Sequence, residues 1–338
     1  MRAVLMSKPG SVELRDLPEP VLGPEEVLVE IKLIGLCGSD LNSFRGLSPM
    51  VIYPRIQGHE VAGTIVAKGS AVPDSVVLGS RCTVSPYTHC GHCPACRRGR
   101  TNTCQFNQTY GVQRDGAMLQ RLALHHSKVF CSSILSLEEL ALVEPLSVGY
   151  HAANRGRVCE TDDVLVFGCG AIGLGAIAAS ARKGARVIAV DLDPAKLALA
   201  RRFGAADTIN SKEKDVLESV KALTQGDGVS VAIEAVGHPA TYNLAVDAAA
   251  FAGRVVCIGY AKDDVSFATK KFVMKELDIL GSRNALLVFP SVIQMLEKRE
   301  RPYLDMVSKT YALEDAVQAF ADWDKAPQNF TKILIHNA

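Results

Sequence analysis

Residues Val164–Ala181 read VLVFGCGAIGLGAIAASA. A β-branched, apolar run ends at Gly168. Glycines at 168, 170 and 173 then spell G-x-G-x-x-G, and an apolar, helix-like run continues to Lys183, with Gly184 as its stop. The stretch is the most apolar in the chain, and its 18 residues reach the length that raises a membrane span. Its four glycines instead predict a buried strand, a turn and a helix. Alone the motif is weak. Here it follows a strand, opens a helix, and is followed by Asp191 at the end of the next strand-like run, ARVIAVD, which is the context of a dinucleotide site. Gly168 permits the turn, Gly170 admits a pyrophosphate to the backbone, and Gly173 lets helix pack on strand; the helix start at Ala171 and Ile172 offers free N–H groups to phosphate. Asp191 would accept the adenosine ribose hydroxyls and repel a 2′-phosphate, which favours NAD over NADP. Lys196 is placed to reach the same ribose edge.

Outward from this unit the pattern repeats. DPAKLALARRFG, SKEKDVLESVKALTQG and HPATYNLAVDAAAFAG read as helices, and ADTIN, SVAIEAVG, RVVCIGY and ELDILGS as strands. Strand–helix alternation at this pitch predicts a parallel sheet. Upstream, from Met1 to about Tyr150, short runs such as EEVLVEIKLIGLC alternate with period two between Pro and Gly, which predicts a small barrel or sandwich of antiparallel strands. The tail, with helices in VFPSVIQMLEKRE and LEDAVQAFADW and a strand in TKILIH, does not extend the βαβ series and is expected to return to the first domain. Nothing has a fixed-period repeat.

Composition bounds the partners. The 338 residues suit about two domains, and a net charge of +1 gives no field for nucleic acid or an anionic membrane. The stretch MRAVLMSKPGSVEL lacks the apolar segment of a signal peptide. A reducing, cytoplasmic compartment is expected, with the ten cysteines as thiols or metal ligands.

Four of those cysteines, Cys90, Cys93, Cys96 and Cys104, fall within fifteen residues as C-x2-C-x2-C-x7-C. Four thiolates at this spacing suit a closed, structural zinc; an iron–sulfur cluster is the competing reading. The lobe has almost no apolar residues, so metal must supply its order. His89 and His92 are expected to be exposed bystanders, and Arg97, Arg98 and Arg100 a solvated face rather than a nucleic-acid ribbon. A second donor set lies outside the lobe: Cys37 in GLCGSD, His59 and Glu60 in GHE, Glu144 in VEP. Sulfur, nitrogen and oxygen donors from separate segments suit a catalytic zinc with an open position.

The combination GLCGSD, YPRIQGHEVAG, the four-cysteine lobe, EPLSVGYHA and GCGAIGLGA resembles the zinc-dependent medium-chain alcohol dehydrogenase superfamily over essentially the whole chain. Within it, YPRIQGHE, CPACRRGRTN and LGSRNA most resemble the polyol and sugar-acid branch, nearest to L-galactonate (L-gulonate) 5-dehydrogenases. The resemblance implies a GroES-like catalytic domain, residues 1–150 completed by 285–338, and a Rossmann NAD-binding domain, residues 151–284. It implies two zinc ions per chain, NAD, a small sugar-acid or polyol substrate, and a homodimer or homotetramer, with RVVCIGY and LDILGS as the contact edge. Nicotinamide and catalytic zinc would share the interdomain crevice. Cys37, His59 and Glu144 match the metal positions, and Glu60 serves directly or through water. Asp40 matches the carboxylate that orients the zinc histidine. Ser39 matches the proton-passing hydroxyl. Val236, Ile258, Gly259 and Ser282 would contact the cofactor. Zinc would help the alcohol ionise, and hydride would pass to the nicotinamide. Arg283 in GSRN, and less so Arg55, would hold a substrate carboxylate.

Two features depart from the pattern. Asn42 stands where many relatives carry a proton-relaying histidine, and DGAMLQRL places Met118 and Leu119 where an aromatic residue and alanine are usual, which predicts an altered substrate pocket. A phosphorylated-polyol or threonine dehydrogenase is the alternative within the family, and a non-catalytic nucleotide-binding protein the alternative outside it.

Overall fold

Six parallel strands form the second of two units into which the chain divides. The computed structural model describes residues 1–337. Across the sheet the strands run Asp207–Asn210, Arg186–Asp191, Asp163–Phe167, Val229–Glu234, Ala249–Cys257, Asp278–Gly281. The central strand is buried throughout Val164–Phe167, as expected of a strand covered on both faces, where every side chain leaves water. Helices Ala171–Arg182, Pro194–Phe203, Val216–Leu223 and Pro239–Ala248 connect the strands. Asp193 and Asp215 cap two of them through their carboxylates. The unit comprises Pro145–Val288 and Arg301–Tyr303.

Two predicted helices are shorter than the sequence suggests. SKEKDVLESVKALTQG is helical only over Val216–Leu223, because the Asp215 carboxylate accepts from Glu218 N–H and fixes the start there. In HPATYNLAVDAAAFAG the helix ends at Ala248, and Ala249 already pairs with Val229. The alanines favour a helix locally, but sheet pairing overrides that propensity. The helix Lys270–Lys275 has no counterpart in the sequence reading.

The first unit comprises Met1–Glu144, Phe289–Glu300 and the chain from Leu304 on. Its larger sheet runs Val307–Ala312, Lys332–His336, Glu26–Leu36, Glu60–Lys68, Arg81–Val84, Val129–Cys131, with Arg121–His125 also paired to Glu26–Leu36. A smaller sheet joins Ser11–Asp16, Arg2–Lys8 and Arg55–Ile56. The pairings are antiparallel except between Val307–Ala312 and Lys332–His336. The tail does return to this unit: Lys332–His336 flanks one edge of Glu26–Leu36, with Ile333 opposite Leu36, and Glu60–Lys68 flanks the other, with Glu60 opposite Gly35. The core beneath holds Ile31, Ile34, Leu36, Ile65, Met118, Phe320 and Ile333. Among the described residues, no helix is long and apolar enough to cross a membrane.

Candidate functional site: two metal-type clusters and a dinucleotide turn

The cysteine lobe folds around its own thiols. The Sγ atoms of Cys90, Cys93, Cys96 and Cys104 all lie within 4.8 Å of one another, with Cys93 Sγ 3.5 Å from Cys96 Sγ and 3.9 Å from Cys104 Sγ. Backbone N–H groups of Cys90 and Phe106 donate to Cys104 Sγ, and that of Cys93 to Cys90 Sγ. The local cluster otherwise contains only Ala95. Four converging sulfurs, with amides turned on them and no apolar core, fit a tetrahedral thiolate zinc. His89 and His92 are exposed, as are Arg97 and Arg98.

The second cluster gathers three segments. Donor atoms of Cys37, His59 and Glu60 also lie within 4.8 Å of one another. Cys37 caps the short helix Gly38–Phe44, and Asp40 Oδ2 accepts from its N–H at 2.8 Å. The other oxygen, Oδ1, is 3.9 Å from His59 Nδ1 and accepts at 3.0 Å from the Gln57 amide, which also donates to Gly111 O. Burial pushes the Asp40 carboxyl above its usual range, against the opposing pull of His59 and the Cys37 N–H. His59 Nδ1 and Ser39 Oγ are buried with no hydrogen-bond partner among the described residues. Thiol, imidazole and carboxylate donors within 4.8 Å of one another, buried or half-buried, fit a zinc ion. Glu144 is not in that triad. It is buried, and Tyr87 donates its hydroxyl to Glu144 Oε1. Burial first, then neighbouring Glu60, push the Glu144 carboxyl up to about 6 against the pull of His59. Burial and Glu144 together hold the Tyr87 hydroxyl well above its usual value.

Glu60 has a partner absent from the sequence reading. Lys332 Nζ donates to both of its oxygens at 2.6 Å and to Leu36 O at 2.9 Å. Burial alone would lower the Lys332 pKa; Glu60 first, then Cys37, outweigh it and hold the ammonium above its usual value.

In the second unit the glycine turn has the expected shape. A Cβ at Gly173 would lie 1.8 Å from Gly168 O, whereas one at Gly170 would meet nothing within 4 Å. The first glycine is thus demanded by packing, and the second leaves room beside a helix N-terminus. Asp191 Oδ2 accepts from Cys169 N–H at 2.7 Å, and Oδ1 from the Leu192 and Asp193 N–H groups. These bonds fix the carboxylate beside the turn. Lys196 is half-buried on the first turn of the next helix, and Val236 is half-exposed next to Gly168. Ser282 Oγ is buried without a hydrogen-bond partner among the described residues.

Comparison with known proteins agrees with both units. An alcohol dehydrogenase GroES-like domain model matches residues 23–133, and a zinc-binding dehydrogenase model matches residues 171–298. The sorbitol dehydrogenase of Bacillus subtilis is 35% identical over 99% of this chain and 97% of its own. The chain belongs to the zinc-type medium-chain alcohol dehydrogenases. Another relative, the L-galactonate-5-dehydrogenase of Escherichia coli K12, is 32% identical over 84% of each chain. A solved alcohol dehydrogenase from Escherichia coli CFT073, in complex with NADH, superimposes with a TM-score of 0.92 at 29% identity over 99% of each chain. This dehydrogenase therefore acts on CH–OH donors and uses zinc.

The remaining residues of the dehydrogenase divide. Arg55 is engaged: its Nη1 lies 2.9 Å from Asp115 Oδ1, which also accepts from Ile56 N–H. Arg283 is half-buried, just beyond strand Asp278–Gly281. Met118 and Leu119 are buried in the core, and Met118 packs under Gly58, next to His59. Both departures from the family pattern thus lie in the core beneath the segment that carries His59. Asn42 is exposed. Lys332, Tyr87 and Gln57 escaped the sequence reading. A lysine opening a strand and a tyrosine beside a cysteine lobe both read as ordinary surface residues; the signal that marks them is burial against carboxylates, which only the fold supplies.

Proposed function

We propose that the chain is an NAD-dependent, zinc-dependent dehydrogenase oxidising a secondary alcohol of an acyclic sugar acid, of the L-galactonate, L-gulonate or L-idonate type, or of a polyol, reversibly to the ketone. The observation that carries this reading is the convergence of Cys37, His59 and Glu60 on one point, with Glu144 close enough to perturb the imidazole. Relatives named for sorbitol and L-galactonate support the substrate class.

Cys37, His59 and Glu60 would hold the catalytic zinc, with Glu144 as a further ligand or as the acceptor of a ligand water; Cys90, Cys93, Cys96 and Cys104 would hold the structural zinc. The bound catalytic ion supplies Lewis acidity, lowering the pKa of the alcohol hydroxyl toward neutrality. Asp40 keeps the His59 ring in one orientation. Ser39 Oγ, buried without a hydrogen-bond partner among the described residues, would take the hydroxyl proton and pass it outward, with exposed Asn42 unable to titrate. Hydride transfer needs nicotinamide C4 brought to the carbinol carbon; Gly168–Gly173 would seat the pyrophosphate, Asp191 and Lys196 the adenosine ribose, and Val236, Ile258, Gly259 and Ser282 the rest of the dinucleotide. Asp191 favours NAD through its charge. Arg283, just beyond strand Asp278–Gly281, is the proposed partner of a substrate carboxylate, and Arg55 the lesser candidate.

Thiolate-held zinc suits a reducing compartment, and the cytoplasm is the proposed location. A homodimer or homotetramer is proposed through the strands of RVVCIGY and LDILGS: Asp278–Gly281 is one of the two edges of the sheet, and Ile279, Val273, Met274 and Phe251 are exposed on it or on the segments that adjoin it.

A substrate panel tests the reading. Protein with NAD is offered L-galactonate, L-gulonate, L-idonate, sorbitol, galactitol 1-phosphate and L-threonine, and NADH absorbance is followed. Turnover of the acids or sorbitol is expected; reaction with the phosphate or the amino acid alone overturns the substrate class. Arg283→Ala is expected to weaken an acid substrate far more than a neutral polyol, and equal loss removes the carboxylate role.

A further inference from the structure

Glu234 ends the strand Val229–Glu234 inside the apolar run SVAIEAVG. It is fully buried, yet it faces no cation in an ion pair among the described residues. Its carboxylate is turned on its own chain instead. Oε1 accepts from the N–H groups of Val236 and Gly237, each at 2.9 Å, and from the Thr241 hydroxyl at 2.8 Å. Its main-chain carbonyl accepts from Ile258 N–H at 2.8 Å and Gly259 N–H at 3.2 Å. One residue therefore gathers four backbone N–H groups from two crossover loops, both at the C-terminal edge of the parallel sheet.

The second carboxylate oxygen closes the arrangement. Oε2 is buried with no hydrogen-bond partner among the described residues. A Cβ at Gly259 would lie 2.6 Å from it and 2.2 Å from Gly237 N. Gly259 thus fits against Glu234 and Gly237 only because it lacks a side chain, and Tyr242 donates its hydroxyl to Gly259 O. In register, Glu234 stands opposite Phe167 on one neighbouring strand and Cys257 on the other. The loop it holds through Val236 and Gly237 therefore lies beside Gly168; the other begins at Ile258.

We infer that Glu234 is the positioning residue for the dinucleotide: its carboxylate fixes the loop at Val236 and Gly237 and lies against Gly259 of the loop after Cys257, and so sets Val236 and Gly259 in the shape that receives the cofactor, while its main-chain carbonyl holds Ile258. The inference rests on the dinucleotide reading above. It assigns a role to a residue that touches neither cofactor nor substrate and acts only through the loops. The physical basis is the cost of the alternative. Removing the carboxylate leaves the Val236 and Gly237 N–H groups and the Thr241 hydroxyl without this acceptor, while the Ile258 and Gly259 bonds to the main-chain carbonyl remain; the loop so released pays ordering entropy when ligand binds.

The experiment measures NADH binding to the zinc-loaded protein by nicotinamide fluorescence, beside melting temperature and zinc content, for wild type, Glu234→Ala, Glu234→Gln and Gly259→Ala. Glu234→Ala is expected to weaken NADH about tenfold or more with zinc content unchanged. Glu234→Gln, whose side-chain oxygen still accepts from the same donors, is expected to recover most of that affinity. Gly259→Ala, which forces the two loops apart, is expected to weaken NADH as the Ala variant does, and it carries the test should Glu234→Ala fail to fold. Lowered melting temperature with NADH affinity unchanged, or equal weakening by Ala and Gln, overturns the inference. Wild-type protein that fails to bind NADH overturns the dinucleotide reading itself, and this inference with it.

Discussion

The Lys332 ammonium reaches Glu60 across the empty side-chain position of Gly35. Glu60 pairs with Gly35 on one edge of the strand Glu26–Leu36, Lys332 lies on the strand along the other edge, and a Cβ on Gly35 would stand 2.0 Å from Glu60 Oε2. Both charged side chains are buried, at 2% and 0% exposure. Such a pair adds little when intact but costs heavily when broken, because one charge is left uncompensated out of water.

Lys332→Met is therefore expected to destabilise the protein by about 3–5 kcal/mol, read from chemical denaturation. In a Glu60→Gln background the same substitution should cost much less. Additive effects of the two substitutions would show that the pair does not couple them.

Gly170→Ala and Gly173→Ala should part company. The first adds a methyl where nothing lies within 4 Å, so the melting temperature should hold while NADH affinity falls as the pyrophosphate is crowded. The second drives a methyl into Gly168 O and should lower stability by about 1–3 kcal/mol. A Gly170→Ala protein that binds NADH normally would remove the phosphate role of that position.

Cys96→Ser removes one of four converging sulfurs. Metal analysis is expected to fall from about two zinc ions per chain to about one, and limited proteolysis should cut within residues 87–107, where no apolar core replaces the metal. Unchanged zinc content would refute the structural site.

Tyr87→Phe takes away a buried donor to Glu144. Loss of such a bond is worth about 1.5–3 kcal/mol for a charged acceptor, so kcat/KM for the alcohol should drop about tenfold or more while NADH affinity stays constant. Equal losses in alcohol turnover and NADH binding would mean that Tyr87 supports the fold rather than the site.

Ile279→Lys places a charge on the exposed sheet edge. Light scattering is expected to show a smaller particle than the wild type; an unchanged mass would place the contact elsewhere.

The parallel sheet was legible because its strands are apolar runs closed by glycine, and the four-cysteine lobe because cysteines at that spacing have few other uses. The alanine-rich AAFAG was misread because alanine carries no periodicity, and sheet pairing alone decides its state. Lys332 in TKILIH, Tyr87 in SPYTHC and Glu234 in SVAIEAVG were illegible for a common reason. Each is a polar residue whose burial depends on strands or segments far apart in sequence. Local pattern records what a residue is, and distant pairing decides what it faces.

Glu60 and Lys332 stand 272 positions apart, with the entire nucleotide-binding unit encoded between them. The segments that carry Cys37, His59 and Glu60 thus depend on a lysine encoded far downstream to neutralise one of their carboxylates. Without that strand Glu60 would be a buried carboxylate with no cation beside it, so the C-terminal strand is part of what lets this unit close around it.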